Sequence, residues 1–366
     1  MVNSPTLNLN DFKLMSDQTD SLHSQVSDFV ANKQHIQICA GDSKAFYAQE
    51  KTGEQLDVKD HNGIVHYEPT ELVLTARCGT PLKEIENTLA EHNQMLAFEP
   101  PHFTEHSTFG GCLAAGLSGP RRPFAGAVRD FTLGMKIING KAEVLKFGGE
   151  VIKNVAGYDL SRLFVGSLGT LGLILDASVK VLPKPETEIT LSFELTQRAS
   201  ISRMNKLCLT NLPISASCFD GQQLRIRLSG SKIALDAAKS RLGGELFEHH
   251  TDFWQNIKNH QHDFFKTEKR IWRISLSPST APLEIAGEQL NEWRGALRWL
   301  CSDESPEKIR ALVAKLHGHA TIFKNAQKDD LVFEPLRGKL HQLNMNVKLA
   351  MDPKGFFNQG TMYESY

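Results

Sequence analysis

Three stretches of this 366-residue sequence hold residue types and spacings that could do chemistry. The first is "CAGDSK" (39–44), which follows a short apolar run. A loop of Gly, Asp and Ser can turn several backbone N–H groups toward one point and nest a phosphate-like anion; it can equally be a plain turn. The second, "STFGGCLAAGLSGPRR" (107–122), keeps small residues over most of its length. Gly110, Gly111, Ala114, Ala115 and Gly116 could let a flat or anionic ligand lie against the main chain, or let a helix pack closely through small residues. The third, "GGEVIKNVAGYDLSRLFVGSLGTLGLI" (148–174), places Gly166, Gly169 and Gly172 every third residue. That spacing suits a backbone curving around a ligand. Within it, Lys153 and Asn154 read as well as solvated polar residues, and Tyr158 as core packing.

Other chemistries are excluded by what is missing. No Gly-x-Gly-x-x-Gly and no Gly-x-x-x-x-Gly-Lys-Ser/Thr occurs, so a nicotinamide Rossmann site or a P-loop is not expected. No Gly-x-Ser-x-Gly, His-Glu-x-x-His or neighbouring carboxylate pair offers hydrolysis. His317 and His319 would point to opposite sides if the following strand reached back to them. His102 and His106 have helical spacing but sit in proline-rich "EPPHFTEH", so no metal site is expected. Six scattered cysteines with no Cys-x-x-Cys pair suit buried reduced thiols better than disulfides, zinc or an iron–sulfur cluster. A formal net charge of -1 gives no field for nucleic acid. No apolar run approaches membrane-spanning length and the N-terminus lacks a secretory pattern, so a cytoplasmic protein is expected.

The elements that must position these stretches can be read from periodicity and turn chemistry. Residues 35–47 read as strand, tight loop and short segment. Residues 71–96 begin as an alternating strand and become a helix, with Thr80 as N-cap and Pro81 at the first helical position. Residues 130–149 look like two strands joined by Asn139-Gly140, a hairpin signal. Residues 172–186 form a strand stopped by two prolines, which mark a boundary near 184. Beyond it the pattern is ordinary α+β: a strand in "TEITLSFEL", a hairpin through Asp220-Gly221, and a helix ending at a glycine after "SKIALDAAKSRL". Strands at 271–276 and 294–300, a helix over 305–318 and the strand "HATIFK" (319–324) follow. The tail is a helix broken at Asp352-Pro353 with a turn at Gly355.

Taken in order, these segments resemble the FAD-binding domain of the p-cresol methylhydroxylase/vanillyl-alcohol oxidase (PCMH) type. Within that superfamily the likeness is to the FAD-binding subunits of glycolate oxidase (glycolate dehydrogenase) complexes. It rests on "GDSKAF", "STFGGCLAAGLSGPRR", "VRDFTLG", "GEVIKNVAGYDLSRLFVGSLGTLG" and "MDPKGFFNQG", and covers nearly the whole chain. The implied fold class is α+β: a two-subdomain PCMH-type FAD-binding domain (1–183), a smaller α+β cap-like domain (184–330), and a C-terminal segment (331–366) returning to the FAD domain.

The resemblance also implies site residues. Ala40, Gly41, Asp42, Ser43 and Lys44 would form the pyrophosphate loop. Thr108, Gly110, Gly111 and Ser118 would lie along the pyrophosphate and ring system. Asp159, Gly166, Gly169, Thr170, Leu171 and Gly172 would approach the flavin, and Ile174 the adenine side. The small-residue run would then be empty of side chains because FAD fills their space. Arg121 and Arg122 could add charge at the rim, or form a solvated pair or a subunit contact. Many relatives attach flavin through a His in the first loop or at the strand–helix turn. Asp42 and Cys78-Gly79 stand there, so non-covalent FAD is expected. The related large subunits' His-Gly-Asp-Gly-Asn-x-His segment is absent, and Gln359 replaces the second proline of their Asp-Pro-x-Gly-x-x-Asn-Pro-Gly, loosening the turn at Asn358.

The implied activity is oxidation of glycolate, or a similar 2-hydroxy acid such as D-lactate, to the 2-oxo acid. Electrons would leave through a larger FAD-containing catalytic subunit and an iron–sulfur subunit, with peripheral membrane association through those partners. A free-standing FAD-dependent hydroxy-acid dehydrogenase and a non-catalytic subunit keeping the fold are the alternatives. The sequence names no catalytic base.

Overall fold

The computed structural model describes residues 17–47, 52–149 and 160–363. Its N-terminal half is organised by a five-stranded antiparallel sheet, in the order Ile64–Glu68, Val73–Arg77, Leu173–Lys180, Thr132–Ile138, Val144–Gly148. Successive strand residues point to opposite faces. Accordingly Ile137 and Ile174 join one hydrophobic cluster, with the helices Leu82–Glu91 and Phe109–Ala115, while Ile138, Leu173 and Leu175 join another. The second cluster holds the helix Thr19–Ala31 and the parallel strand pair Ile36–Cys39 and Glu54–Asp57. Covered on both sides, Val73–Arg77 is buried along its length rather than alternating.

Two local expectations give way to tertiary packing. The helix after Gly79 begins at Leu82 with Pro81 as its cap residue. Thr80 instead turns its hydroxyl inward, accepting from the Gly63 N–H (2.9 Å) and donating to the Arg77 carbonyl (2.6 Å). The strands Thr132–Ile138 and Val144–Gly148 do form a hairpin, but through a five-residue loop. Asn139 closes it by accepting from the N–H groups of Lys141 and Glu143, and the left-handed residue is Ala142. Gly140 serves another purpose: a Cβ there would lie 2.2 Å from the Asp352 carboxylate.

Residues 187–324 build an eight-stranded antiparallel sheet. Its order is Glu245–Leu246, Thr187–Phe193, Leu224–Gly230, Ile214–Phe219, Glu288–Glu292, Leu297–Cys301, Ile271–Ser275, His319–Lys324. The helices Gln197–Leu207, Lys232–Leu242 and Pro306–Lys315 pack into clusters on it. An aromatic cluster including Phe253, Trp254, Phe265, Trp299 and Phe323 faces the N-terminal half. The strand expected over 294–300 starts at Leu297, after a tight turn at Trp293–Gly295. The strand Glu288–Glu292 was not anticipated.

Buried charge joins the two halves. Arg121 pairs with Glu99 (3.2 Å) and Glu188 (2.5 Å), and Arg227 pairs with the same Glu99 oxygen (2.7 Å). Arg121 is thus an internal strut, only 8% exposed, and neither a rim charge nor a solvated residue. After the helix Gly338–Met351 the chain returns to Ile36, whose N–H donates to Phe356 and whose carbonyl accepts from Asn358.

Candidate functional site

The strand Ile36–Cys39 ends in the "CAGDSK" loop, which closes on a 3₁₀ turn through Ala45 N–H to Asp42 and Tyr47 N–H to Lys44. Asp42 adopts a left-handed φ of 44°. Among the described residues, the N–H groups of Ala40, Gly41, Asp42, Ser43 and Lys44 find no acceptor. Asp42 is exposed, Ser43 buried and the other three half-buried, and a run of such free N–H groups can nest an anion. The Lys44 ammonium donates to the Ser43 hydroxyl (3.3 Å), sits 5.8 Å from the Phe103 ring centre, and has no carboxylate partner among the described residues. Burial pushes its pKa down.

The helix Phe109–Ala115 supplies the facing wall. Thr108 caps it by accepting from Gly111 N–H, and Gly116 ends it in the left-handed conformation. Its glycines have several reasons to lack side chains. A Cβ on Gly110 would lie 2.6 Å from Cys78, one on Gly116 2.9 Å from Gly166, and one on Gly119 2.5 Å from the Glu99 carbonyl. A Cβ on Gly41 would overlap the His106 carbonyl. A Cβ on Gly111 would instead meet only side-chain ends, the Thr108 hydroxyl at 3.2 Å and the Lys44 ammonium at 3.8 Å. The expectation that ligand volume empties the whole run is therefore corrected. Most of these glycines bring protein backbones together, and at Gly111, which lines the groove with Gly110, a Cβ would meet only side-chain ends.

The third wall is the turn 166–174, with left-handed Gly166, Leu168, Gly169 and Gly172. Asn358 holds it. Its side chain accepts from Ile38 N–H (2.8 Å) and donates to the Leu168 carbonyl (2.7 Å). Buried and doubly bonded, Asn358 is fixed despite the Gln359 replacement.

These walls enclose one groove of about 830 Å³, its mouth included. Of the residues expected at the site, Ala40 through Lys44, Thr108, Gly110, Gly111, Gly169, Gly172 and Ile174 line it. Four do not. Ser118 accepts from Val128 N–H beside a second, smaller cavity. Gly166 packs beneath Gly116, Thr170 is buried with its hydroxyl on Ser167, and Leu171 enters the core. Asp159, Lys153, Asn154 and Tyr158 lie outside the described residues. Cys78 and Cys112 flank the groove as thiols whose pKa burial raises, that of Cys112 to about 12. All six cysteines are free.

Comparison with known proteins decides the family. Residues 15–148 match the model of an FAD binding domain. The glycolate oxidase subunit GlcE of Escherichia coli (strain K12) is 46% identical over 348 residues, covering 95% of this chain and 98% of that protein. The chain belongs to the glycolate oxidase subunit GlcE family. Beyond this family the likeness narrows to part of the sequence. The glycolate oxidase subunit GlcD of Bacillus subtilis (strain 168) is 37% identical over 134 residues, 36% of this chain and 28% of that protein. The mitochondrial D-lactate dehydrogenase [cytochrome] 1 of Saccharomyces cerevisiae is 30% identical over 165 residues, 44% of this chain and 27% of that protein. In fold, an alkyldihydroxyacetonephosphate synthase superposes with a TM-score of 0.66 at 14% identity, over 93% of this chain and 75% of that one.

For this family member, FAD is the cofactor and a mixed α+β architecture its frame. The histidines stay apart from the groove's interior. His317 sits in a left-handed turn before the strand that begins at His319, and His102 pairs with Glu86 at 3.2 Å. Sequence reasoning missed Ile38, Val58, Leu168 and Thr361, which also line the groove. It also missed Arg273 and Glu292, which meet in the second cavity only because the eight-stranded sheet folds them together. No local motif marks either residue.

Proposed function

We propose that this chain is the FAD-holding subunit of a complex that oxidises glycolate, or a similar small 2-hydroxy acid, to the 2-oxo acid. The observation that carries the reading is the groove lined by unsatisfied amides 40–44 and the unpaired Lys44 cation. Two phosphates buried without partners would be costly, and oriented N–H groups with one ammonium offset that cost. The amides of Ala40–Lys44 and the Lys44 ammonium would hold the diphosphate. Thr108, Gly110 and Gly111 would lie along it, while Gly169, Gly172 and Ile174 would border the ring systems. Bound FAD supplies the two-electron acceptor for the hydroxy acid. The fixed Asn358–Leu168 turn orients the groove's far wall, and apolar Ile38, Val58 and Leu173 keep water from it.

FAD is held non-covalently in this reading. Asp42 and Cys78 offer no imidazole, and the buried Cys78 thiol stays protonated. We assign 1–183 to the FAD-binding domain, 184–330 to the cap, and 331–366 to the returning segment. That the GlcE relative is named as a subunit supports a multi-subunit complex, which we read as hetero-oligomeric. We place a larger flavin subunit and an iron–sulfur subunit beside this chain, with membrane contact made through them. No described helix is long and apolar enough to cross a membrane.

The test is a visible spectrum of the purified chain, before and after anaerobic glycolate, with acid release of flavin. Released FAD and bleaching of the flavin band would make the chain a catalytic unit. Bound FAD without bleaching would make it an electron-relaying subunit that needs its partners. A colourless chain that takes up no FAD would overturn the reading.

A further inference from the structure

The helix Gly338–Met351 is built inside out. Its one fully buried side chain is Lys348, and His341 and Asn344 on the same side are half-buried. Leu340, Leu343 and Leu349 are 55%, 59% and 52% exposed. A lone exposed leucine is ordinary on any protein. A helix that buries its lysine and exposes its leucines is not, because rolling it over would take that apolar surface out of water.

Lys348 prevents the roll. Its ammonium donates to the carbonyls of Thr170 (2.6 Å) and Phe357 (3.4 Å) and pairs with Asp352 at 2.7 Å. Turning the helix would pull the cation out of the core and leave the buried Asp352 carboxylate alone. The outward face is therefore held in place by the turn that walls the FAD groove.

The outward residues are ordered. Leu340, Leu343, Val347 and Ala350 follow one another at steps of three, four and three, which are the a and d positions of a heptad. Val347 is half-buried against the N-terminal core, and the other three are exposed. A seam this narrow suits knobs-into-holes packing against a single helix. A membrane surface would call for a broad apolar face, and exposed Gln342 and Asn346 interrupt this one.

Charge decides which helix fits. No acidic residue occurs between Pro335 and Met351, whereas Arg337 and Lys339 stand exposed at the start of the seam. Neither cation has an ion-pair partner among the described residues. Two copies of this helix packed seam to seam could offer each other no carboxylate. A different helix, with Asp or Glu beside its own apolar stripe, would pair with both cations.

We infer that the Leu340–Ala350 seam docks an amphipathic helix of another subunit, one whose apolar stripe is flanked by carboxylates. The inference rests on reading this chain as one subunit of a complex. It adds the face by which the subunit is held.

The test co-expresses the tagged full-length chain with the larger flavin subunit and the iron–sulfur subunit proposed above. Partner recovered per tagged chain is the readout, beside melting temperature and FAD content. L340E/L343E should recover about a tenth of the wild-type amount or less, with melting and FAD content unchanged. R337E/K339E should also weaken recovery, more at low salt than at high. Photo-cross-linking from p-benzoylphenylalanine in place of Leu343 should map to a helix of one partner, beside its Asp or Glu residues. Should L340E/L343E melt below wild type, the cross-link carries the test. Full recovery by a normally folded L340E/L343E overturns the inference and leaves the subunit reading standing. So does a cross-link to a second copy of this chain, to lipid, or to nothing in an intact complex. A wild-type chain that recovers no partner removes both.

Discussion

Lys348 places its ammonium 2.7 Å from the Asp352 carboxylate, one helical turn further on, with both side chains buried. The ammonium also donates to the Thr170 carbonyl (2.6 Å), and the carboxylate accepts from the N–H groups of Phe356 and Phe357. The pair thus pins the returning C-terminal segment to the glycine turn that walls the groove. Removing one partner leaves the other charge buried and alone. K348M should cost about 3–5 kcal/mol of stability. Urea unfolding measures it, and a K348M midpoint equal to wild type would show that the pair carries no stability.

Gly111 differs from the other glycines of its run: a Cβ there meets side-chain ends and no backbone. G111R should leave the thermal midpoint within a few degrees of wild type and yield a chain that retains no flavin. G119V should do the reverse, losing stability because its side chain meets the Glu99 carbonyl. Flavin released by acid, set beside a melting curve for each variant, checks both. A yellow, fully loaded G111R would remove the groove from consideration as the cofactor site. Gly169 is a poorer probe, since its substitution strains a left-handed φ of 75° and strikes Asn358.

Lys44 should behave in opposite ways with and without cofactor. In the empty groove its charge is desolvated and unpaired, which is why its pKa falls. K44M removes that cost, so the FAD-free variant should melt above FAD-free wild type. The same change deletes a charge-assisted contact to a phosphate. Such contacts are worth about 1.5–3 kcal/mol, so FAD affinity should drop about tenfold to a hundredfold. Equal affinity in K44M and wild type would place the diphosphate elsewhere.

What the sequence made legible was local. The "CAGDSK" loop, the small-residue run 107–122 and the Gly166–Gly172 turn announce themselves through their glycines and turn residues, and they supply the groove's walls. What it hid depends on pairing between distant strands. Thr80 is a good N-cap by type, yet Gly63 claims its hydroxyl from 17 residues away. Gly140 reads as a hairpin glycine, yet Asp352 decides it. Arg121 and Arg122 are neighbours of one type with opposite fates, one locked between Glu99 and Glu188, the other unpaired over Trp293. No local pattern distinguishes them.

Glu292 gives a pH test whose sign can be worked out. Its folded-state pKa of about 7 stands above the unfolded value of 4.5, because burial outweighs the Trp299 hydrogen bond and the Arg273 charge, with Glu99 adding to the rise. Between these values the folded chain holds a proton that the unfolded chain has lost. Its stabilising contribution is therefore complete below pH 4.5 and is lost as pH climbs through 7. His260, lowered to about 3 by burial and by the charges of Arg273 and Lys324, acts in the opposite sense below 6.5 and masks the effect in wild type. E292Q deletes the Glu292 part alone. Its stability relative to wild type should rise with pH by up to about 1.4 kcal/mol per unit between 4.5 and 7. E292Q should therefore melt above wild type at pH 8 and lose that advantage at pH 5. Parallel melting profiles across this range would mean that Glu292 titrates like an exposed carboxylate, and that the cavity beside Arg273 is wetter than its walls indicate.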